Sequence, residues 1–214
     1  MGTRERIVDT AIRLFNEEGT GPVSTNHIAR AAGISPGNLS YHFRNKEEIL
    51  RAIYARLRPA WEAAVALPGD RAPTIADLHR IVREHFRLVW AYRFYYRELP
   101  ALLRRDPELE RQYQEVRQAG LANVEALLRR LAAADILDLP DADGVAPELA
   151  RICWILADFW LPFAELGPDA IGPDDLDRGV TLILRALHPY VTAAAMPEIA
   201  RLERSGGEPA GGAP

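Results

Sequence analysis

Hydrophobic positions recur three and four residues apart along most of the chain, which is the spacing of an amphipathic helix. Over residues 3–18, Ile7, Ala11, Leu14 and Phe15 form one apolar stripe, which predicts a first helix there. Sustained two-residue alternation flanked by hairpin turns, the pattern typical of strands, does not occur in the sequence. The pattern therefore predicts an all-α fold.

Further helices are predicted from capping residues and from glycine and proline breaks. Thr74 can cap a long helix that Pro100 interrupts, and Asp106 followed by Pro107 suits another helix start. The predicted helices beyond the N-terminal region span about residues 46–66, 74–99, 107–135, 146–166, 174–187 and 197–204, with a break at 68–70 and a turn over 137–144.

Two short helices and a tight turn are predicted directly after the first helix. Ser24 and Thr25 can cap the first of the pair, and Gly33 can end it. Ser35 can accept hydrogen bonds from the free N–H groups of the next helix, and Pro36 suits its first position because no intrahelical donor is lost there. The sequence therefore predicts a helix-turn-helix.

The second helix of this pair carries its polar side chains outward. Leu39 and Phe43 lie four residues apart and can pack back on the preceding helix. Short, polar residues near the start of a helix suit close approach to the DNA major groove. The outward set is Asn38, Ser40, Tyr41 and His42, and the donors that could contact DNA phosphates are Thr25, Tyr41, His42 and Lys46, the only lysine in the chain.

The same local pattern also occurs in all-α proteins that never bind DNA. In that interpretation Tyr41 and His42 are ordinary surface residues, and Lys46 pairs with a nearby glutamate. The helix-turn-helix pattern alone leaves both interpretations open.

A longer stretch favours the DNA-binding interpretation. Residues Gly33 to Leu50, GISPGNLSYHFRNKEEIL, resemble the signature of the TetR family of repressors. The preceding residues, ERIVDTAIRLFNEEGTGPVSTNHIARAAG, resemble that family too. The resemblance implies a three-helix helix-turn-helix head and a helical ligand-binding and dimerisation domain. We expect a DNA-binding domain over residues 1–48, the helical domain over 49–204 and a disordered tail over 205–214.

The resemblance also implies roles for individual residues. Gly37 to His42 would form the recognition helix, Thr25 with Ser24 or Asn26 would contact the DNA backbone, and Lys46 would bind a phosphate. Ser40 and Asn26 depart from the commonest family pattern, so the resemblance does not specify the operator. The predicted DNA contacts are Ser24, Thr25, Asn26, Ser35, Pro36, Gly37, Asn38, Ser40, Tyr41, His42 and Lys46.

Two segments are rich in aromatic residues, FRLVWAYRFYY at 86–96 and ICWILADFWLPF at 152–163. Because these residues fall on nearly every side of their helices, each helix must be enclosed by core, a ligand cavity or a second subunit. Core packing is the simpler account of any one of them, whereas the resemblance implies a ligand cavity. The predicted ligand-binding residues are Trp90, Phe94, Tyr95, Trp154, Asp158 and Phe159.

Asp158 is a carboxylate within an apolar segment, and its burial without a partner would be costly. Arg93, Arg97 or an arginine of another subunit is the expected partner, and recognition of a ligand is the alternative.

The last two long helices are expected to pair two subunits as a four-helix bundle. Two-fold pairing would place two recognition helices about one DNA turn apart and predicts a palindromic operator. The apolar residues assigned to this surface are Ala150, Trp154, Ala157 and Leu161 on one helix, and Val180, Leu182, Ile183, Leu184 and Leu187 on the other.

Charge is divided unevenly along the chain. Residues 1–60 hold nine basic and six acidic residues, whereas residues 61–214 hold 17 basic and 24 acidic residues. A basic N-terminal region on an acidic body is what a DNA-binding head joined to a sensor domain would show.

Composition indicates a soluble protein of a reducing cytoplasm, and the resemblance implies a bacterial one that associates with the nucleoid when bound to DNA. The hydrophobic fraction is 48%, yet no apolar run approaches the roughly 20 residues of a membrane span. The N-terminus lacks the apolar core of a signal peptide, and the lone Cys153 can form no internal disulfide. Core packing is the simpler role for this cysteine.

Catalytic and metal-binding patterns are missing from the sequence. The five histidines have no metal-ligand spacing, and no phosphate-binding glycine loop or nucleophile elbow occurs. No enzyme activity or cofactor is therefore expected. The helix-turn-helix and the apolar last helices predict a homodimer that binds double-stranded operator DNA, and the resemblance implies a repressor that a small apolar or amphipathic effector releases. The alternative is a helical protein-binding adaptor without DNA binding.

Overall fold

The computed structural model describes residues 2–66 and 71–205, and within this part of the chain the regular elements are helical. Leu137 and Val191 form an isolated bridge between extended residues. The predicted all-α class is confirmed. The helices are α1 Thr3–Glu18, α2 Thr25–Ala31, α3 Pro36–His42, α4 Lys46–Val65, α5 Ile75–Ala91, α6 Arg93–Arg105, α7 Pro107–Ala133, α8 Ala142–Ala164, α9 Leu176–Leu187 and α10 Met196–Ser205, with short 3-10 turns at Pro173–Asp175 and His188–Tyr190.

Two compact units make up the chain. The first contains Met1–Glu62 and Ala91–Val116, and the second contains Ala63–Trp90 and Arg117–Pro214. The boundary expected at residue 48 lies within α4 and within the first unit. This unit also contains α6, which therefore belongs with the helix-turn-helix. The division into DNA-binding and ligand-binding domains stays a prediction.

Several features of the sequence fall at the edges of the described residues. The predicted break at 68–70 lies outside them, as does the predicted tail apart from Ser205, which ends α10. Helix α8 begins earlier than expected because the Asp141 carboxylate accepts a hydrogen bond from the Gly144 N–H at 3.3 Å.

The core of the first unit is built on α1. Ile7, Ala11, Leu14 and Phe15, the stripe expected from the sequence, are all buried. Phe15 packs against Phe94 of α6, with ring centroids 5.2 Å apart. This apolar contact brings α6 onto α1.

The chain leaves the helical path at Tyr92, after α5 and before α6, and not at the proline where the sequence predicts the break. A single helix was expected to run from Thr74 to Leu99 and to stop at Pro100, but α5 ends at Ala91 and Pro100 lies inside α6. Tyr92 leaves the helical conformation, with φ −118° and ψ 34°. The prediction from local sequence signals was wrong because the hydrogen bonds lost at Tyr92 are replaced by groups from a distant part of the chain.

Asn16 of α1 supplies those replacement hydrogen bonds. Its side-chain Nδ2 donates to the Ala91 carbonyl at 2.8 Å, and its Oδ1 accepts from the Phe94 N–H at 3.1 Å. The two groups that a helix break would leave unsatisfied are therefore paired with one buried amide.

The second unit has a core in which α5, α8 and α9 meet. Phe86 of α5 and Trp160 of α8 pack edge to face, with ring centroids 5.4 Å apart. Gly179 of α9 faces both rings: a Cβ built there would lie 2.5 Å from Phe86 Cε1 and 3.0 Å from Trp160 Cδ2. The absence of a side chain at position 179 allows α9 to approach this closely.

Replacement of Gly179 by alanine should destabilise the second unit, since the added methyl group would displace the Phe86 ring. The expected loss in the free energy of unfolding is about 1–3 kcal/mol, measured as a lower urea midpoint. Gly21→Ala is the matched control because a Cβ at position 21 has no neighbouring atom within 4 Å. An unchanged midpoint in Gly179→Ala would show that the rings are not in tight contact with α9.

His85 is a buried titratable group in the same unit. Burial lowers the pKa of its imidazole to about 4, although a hydrogen bond with the backbone of Ala157 acts in the opposite direction. The folded protein therefore holds this histidine neutral at neutral pH.

Acid should destabilise the protein through His85. The unfolded imidazole takes up a proton near pH 6.5, whereas the folded one resists protonation down to its pKa of about 4, so the free energy of unfolding falls as the pH decreases through this window. The loss is about 1.4 kcal/mol per pH unit.

Urea unfolding of wild type, His85→Asn and the control His188→Asn between pH 7 and pH 4.5 checks this prediction, because His188 is exposed. The half-buried His79, whose pKa is lowered mainly by burial, remains in both variants. A pH dependence as steep in His85→Asn as in wild type would contradict it.

Candidate nucleic-acid interface

The helix-turn-helix is built by two serine caps and one glycine. Ser24 Oγ accepts a hydrogen bond from the His27 N–H at 3.1 Å, and Ser35 Oγ accepts one from the Asn38 N–H at 3.1 Å. Gly33 adopts φ +67° in the turn between α2 and α3, where most other residues would be strained. The local structure predicted from these residues is confirmed.

Helix α3 has an apolar inner side and a polar outer side. Leu39 and Phe43 are buried, in agreement with their four-residue spacing. Tyr41 is 85% exposed, and its ring lies edge-on to that of His42, with centroids 5.2 Å apart. A hydrogen-bonding aromatic side chain thus projects into solvent from the helix expected to read DNA.

The side chain of Lys46 is held by the loop between α1 and α2. Its Nζ donates to the carbonyl of Thr20 at 2.5 Å and to that of Val23 at 3.2 Å. A phosphate or a glutamate is the partner expected from the sequence, which gives no local sign of these two carbonyls. The ammonium group is thereby fixed next to the residues that lead into α2.

The start of α4 is capped so that Lys46 occupies its first position. Asn45 Oδ1 accepts from the Glu48 N–H at 2.9 Å, and the Glu48 carboxylate accepts from the Arg44 N–H at 2.8 Å. Glu48 is thus engaged in capping, which argues against its being an ion-pair partner for Lys46.

The predicted DNA contacts all lie in the first unit. Thr25, His42 and Lys46 are half-buried. The exposed members of the set are Ser24, Asn26, Ser35, Pro36, Gly37, Asn38, Ser40 and Tyr41.

Sequence reasoning did not single out the exposed arginines nearest to the helix-turn-helix in the chain, Arg30 on α2 and Arg44 just after α3, nor the exposed Arg4 of α1. The guanidinium of Arg4 lies 4.8 Å from the centroid of the Phe43 ring, which places a positive charge at the end of α3. The excess of basic residues before residue 60 was the signal that could have drawn attention to them.

The predicted ligand-binding residues are divided between the two units. In the first unit, Phe94 packs on Phe15 and Tyr95 lies against Tyr54, with centroids 5.6 Å apart. In the second, Trp154 and Asp158 are buried, Trp90 is half-buried and Phe159 is partly exposed to solvent. Their ligand-binding role and the partner of Asp158 stay predictions.

A groove of about 310 Å³ lies in the second unit between α5 and the start of α9. Of the predicted ligand-binding residues, Trp90 lines it. Its other lining residues include Phe86, Leu176 and Val180, together with Arg83 and Asp177, whose side chains form an ion pair at 3.1 Å.

Cys153 is buried in the second unit. Burial raises the pKa of its thiol to about 12, which keeps the sulfur protonated and poorly reactive. A packing role, as the sequence suggested, accounts for this residue.

The apolar surface exposed on α8 and α9 differs from the one assigned from the sequence. Most of the assigned residues, including Trp154, Leu161, Ile183 and Leu187, are buried within the second unit. These buried residues have little surface left for a second subunit, whereas Leu182 of the assigned set is exposed. Periodicity could not separate them because α8 is apolar on several sides, and the subunit interface stays a prediction. The large apolar residues exposed on these helices and just after α8 are Ile152, Ile155, Phe159, Phe163, Leu166 and Leu182.

Comparison with known proteins gives matches along nearly the whole chain. The family model described as bacterial regulatory proteins of the tetR family matches residues 7–53, and the TetR model described as a bacterial transcriptional repressor matches residues 44–199. A TetR-family transcriptional regulator from Marinobacter aquaeolei VT8 is 30% identical, with a TM-score of 0.90, and the alignment covers 96% of this chain and 99% of that one.

Two further relatives are also transcriptional regulators. SmeT, the repressor of the Stenotrophomonas maltophilia multidrug efflux pump SmeDEF, is 25% identical over 91% of this chain and 93% of its own, with a TM-score of 0.66. The transcriptional regulator AcrR of Shigella flexneri is 38% identical over 52 residues, which is 24% of each chain. This chain spans about a quarter of the length of the first curated relatives it matches.

The matched proteins are transcriptional regulators and not enzymes. In the described part of the chain, no helix combines the length and the apolar character needed to cross a membrane. The matches to both family models, together with the full-length likeness to a solved regulator, show that this chain belongs to the TetR family of bacterial transcriptional regulators.

Proposed function

We propose that this protein is a homodimeric repressor that binds a palindromic operator in the cytoplasm and is released by a small apolar or amphipathic effector. The observation that carries the proposal is the outer side of α3, where Tyr41, Asn38 and Ser40 are exposed above a buried Leu39. The repressor names of the matching family model and of SmeT support repression.

Base recognition is assigned to α3. Asn38 and Ser40 carry short hydrogen-bonding side chains, and Gly37 between the cap and these residues leaves room for close backbone approach. Tyr41 and Lys46 are assigned to phosphates, with Thr25 at the start of α2 on the opposite side of the turn. The exposed Arg4 and Arg44 would add sequence-independent attraction.

Dimerisation is assigned to the exposed apolar residues of α8 and α9. Ile155, Phe159 and Phe163 recur every four residues and therefore form one face of α8. Phe163 is 75% exposed, and Leu182 adds an apolar side chain from α9, which packs against α8. An apolar face of this kind is unusual on a monomer, and its pairing with a second copy would form a four-helix bundle.

The effector is assigned to the second unit. The groove beside Trp90 combines apolar walls with charged groups at its edge, and its volume is within the range of small-ligand sites. Release follows if the effector binds the DNA-incompetent conformation more tightly. A tenfold loss of operator affinity requires a difference of about 1.4 kcal/mol.

Selection of binding sites from random double-stranded DNA should enrich a palindrome, since a two-fold dimer presents two copies of α3. Tyr41→Ala and Lys46→Ala should each weaken binding to the selected site, and loss of the lysine contact from both subunits should reduce the salt slope by about 1.8, at about 0.9 for each phosphate contact. Asn123→Ala, an exposed change on α7, is the control in the second unit. Absence of enrichment even at low salt would favour the adaptor alternative.

Phe163→Glu should convert the dimer into monomers, because pairing would bury the introduced charge in an apolar interface. Sedimentation of wild type and variant checks this, and the variant should bind the palindrome more weakly. Ala122→Glu places the same charge at an exposed position on α7 and should remain dimeric. A dimeric Phe163→Glu protein would show that subunits pair elsewhere.

A further inference from the structure

The loop between α1 and α2 is held from α6 by Glu98. The Thr20 N–H donates to Glu98 Oε1 at 2.8 Å, and the Thr20 hydroxyl donates to Glu98 Oε2. Thr20 is 2% exposed, so both hydrogen bonds to the carboxylate are shielded from water on the threonine side. Hydrogen bonds to an ionised acceptor are roughly twice as strong as neutral ones.

Gly19 makes this contact possible. It has φ +80°, and a Cβ built there would lie 3.0 Å from Glu98 Oε1. A side chain at position 19 would therefore crowd the carboxylate and strain the backbone at the same time. Glycine at the end of α1 therefore leaves room for the Glu98 carboxylate.

The same threonine is also held by Lys46. Its carbonyl accepts the 2.5 Å hydrogen bond from Lys46 Nζ, so the N–H, the hydroxyl and the carbonyl of Thr20 are all engaged. Glu98 and Lys46 thus bind different polar groups of one residue. Displacement of Thr20 would move one of the two carbonyls that orient the ammonium group.

We infer that Glu98 is a positioning residue for DNA binding: it fixes Thr20, and through the Thr20 carbonyl it sets the orientation of Lys46. This inference rests on the proposed function, in which Lys46 donates to a DNA phosphate. Glu98 itself touches no DNA in this scheme. It acts only through the loop.

The direction in which operator affinity changes on removal of Glu98 distinguishes a positioning role from an effect of charge alone. Removal of a negative charge from the DNA-binding unit should strengthen attraction to phosphate if nothing else changes. A positioning role predicts the opposite, because Glu98→Ala leaves the loop and Lys46 less well oriented.

The experiment measures the affinity of the selected operator at several salt concentrations, corrected for the active fraction of each protein. Glu98→Ala should bind about five- to tenfold more weakly than wild type, a coupling of ordinary size between residues in one hydrogen-bond network. Glu98→Gln should bind the operator with an affinity between those of wild type and Glu98→Ala, because its amide oxygen can still accept from the Thr20 N–H. Glu110→Ala, an exposed acidic residue of α7 in the same unit, should bind as well as wild type or better.

A double-mutant cycle with Lys46→Ala supplies the decisive comparison. Once Lys46 is removed, Glu98→Ala should have little further effect on operator affinity. Additive effects, or a Glu98→Ala protein that binds as tightly as wild type, would overturn the inference while leaving the proposed function intact. A wild-type protein that selects no DNA would overturn both.

Discussion

The position of α6 depends on one buried side-chain amide, that of Asn16. A helix can break at Tyr92 only if the carbonyl and N–H groups freed there find new partners, since unpaired buried polar groups cost about 1–3 kcal/mol each. Asn16 satisfies both, and the neighbouring Phe15 packs on Phe94. Apolar contact and hydrogen bonding therefore fix α6 on α1 at the same place.

The consequences of this joint extend along α6. Glu98 lies four residues after Phe94, about one helical turn, and it accepts a hydrogen bond from Thr20 at the end of α1. Arg97 adds a hydrogen bond to the Asn16 carbonyl at 3.2 Å. The helix-turn-helix is thus supported by a helix that lies far away in sequence, which is why the compact unit extends well beyond residue 48.

What the sequence could predict follows from the range of the interactions concerned. Helices α2 and α3 begin where Ser24 and Ser35 cap them, and such caps involve residues only three positions apart. The break at Tyr92 depends on a side chain 78 residues from Phe94 and has no local signature. Proline is the stronger local signal for a helix end, yet Pro100 is exposed and is accommodated within α6.

The exposed apolar face of α8 shows a second limit of prediction from the sequence. Periodicity identified α8 and α9 as apolar helices, but it could not separate the side covered by Phe86 from the side left open at Ile155 and Phe163. That distinction depends on contacts between residues far apart in sequence, such as those of Gly179 with Phe86 and Trp160. An apolar side that is buried in the core and one that stays exposed have the same periodicity in the sequence.

Lys46 is the only lysine among 26 basic residues. At its position an arginine would be less able to donate to the two loop carbonyls and to a phosphate at the same time. The ammonium group has three N–H donors arranged around one atom, so two can converge on the carbonyls of Thr20 and Val23 while the third can donate to a phosphate oxygen. A guanidinium spreads its donors over a rigid plane and cannot turn them toward three separate acceptors in this way. Because the two carbonyls already order the side chain, phosphate binding would cost little additional side-chain entropy.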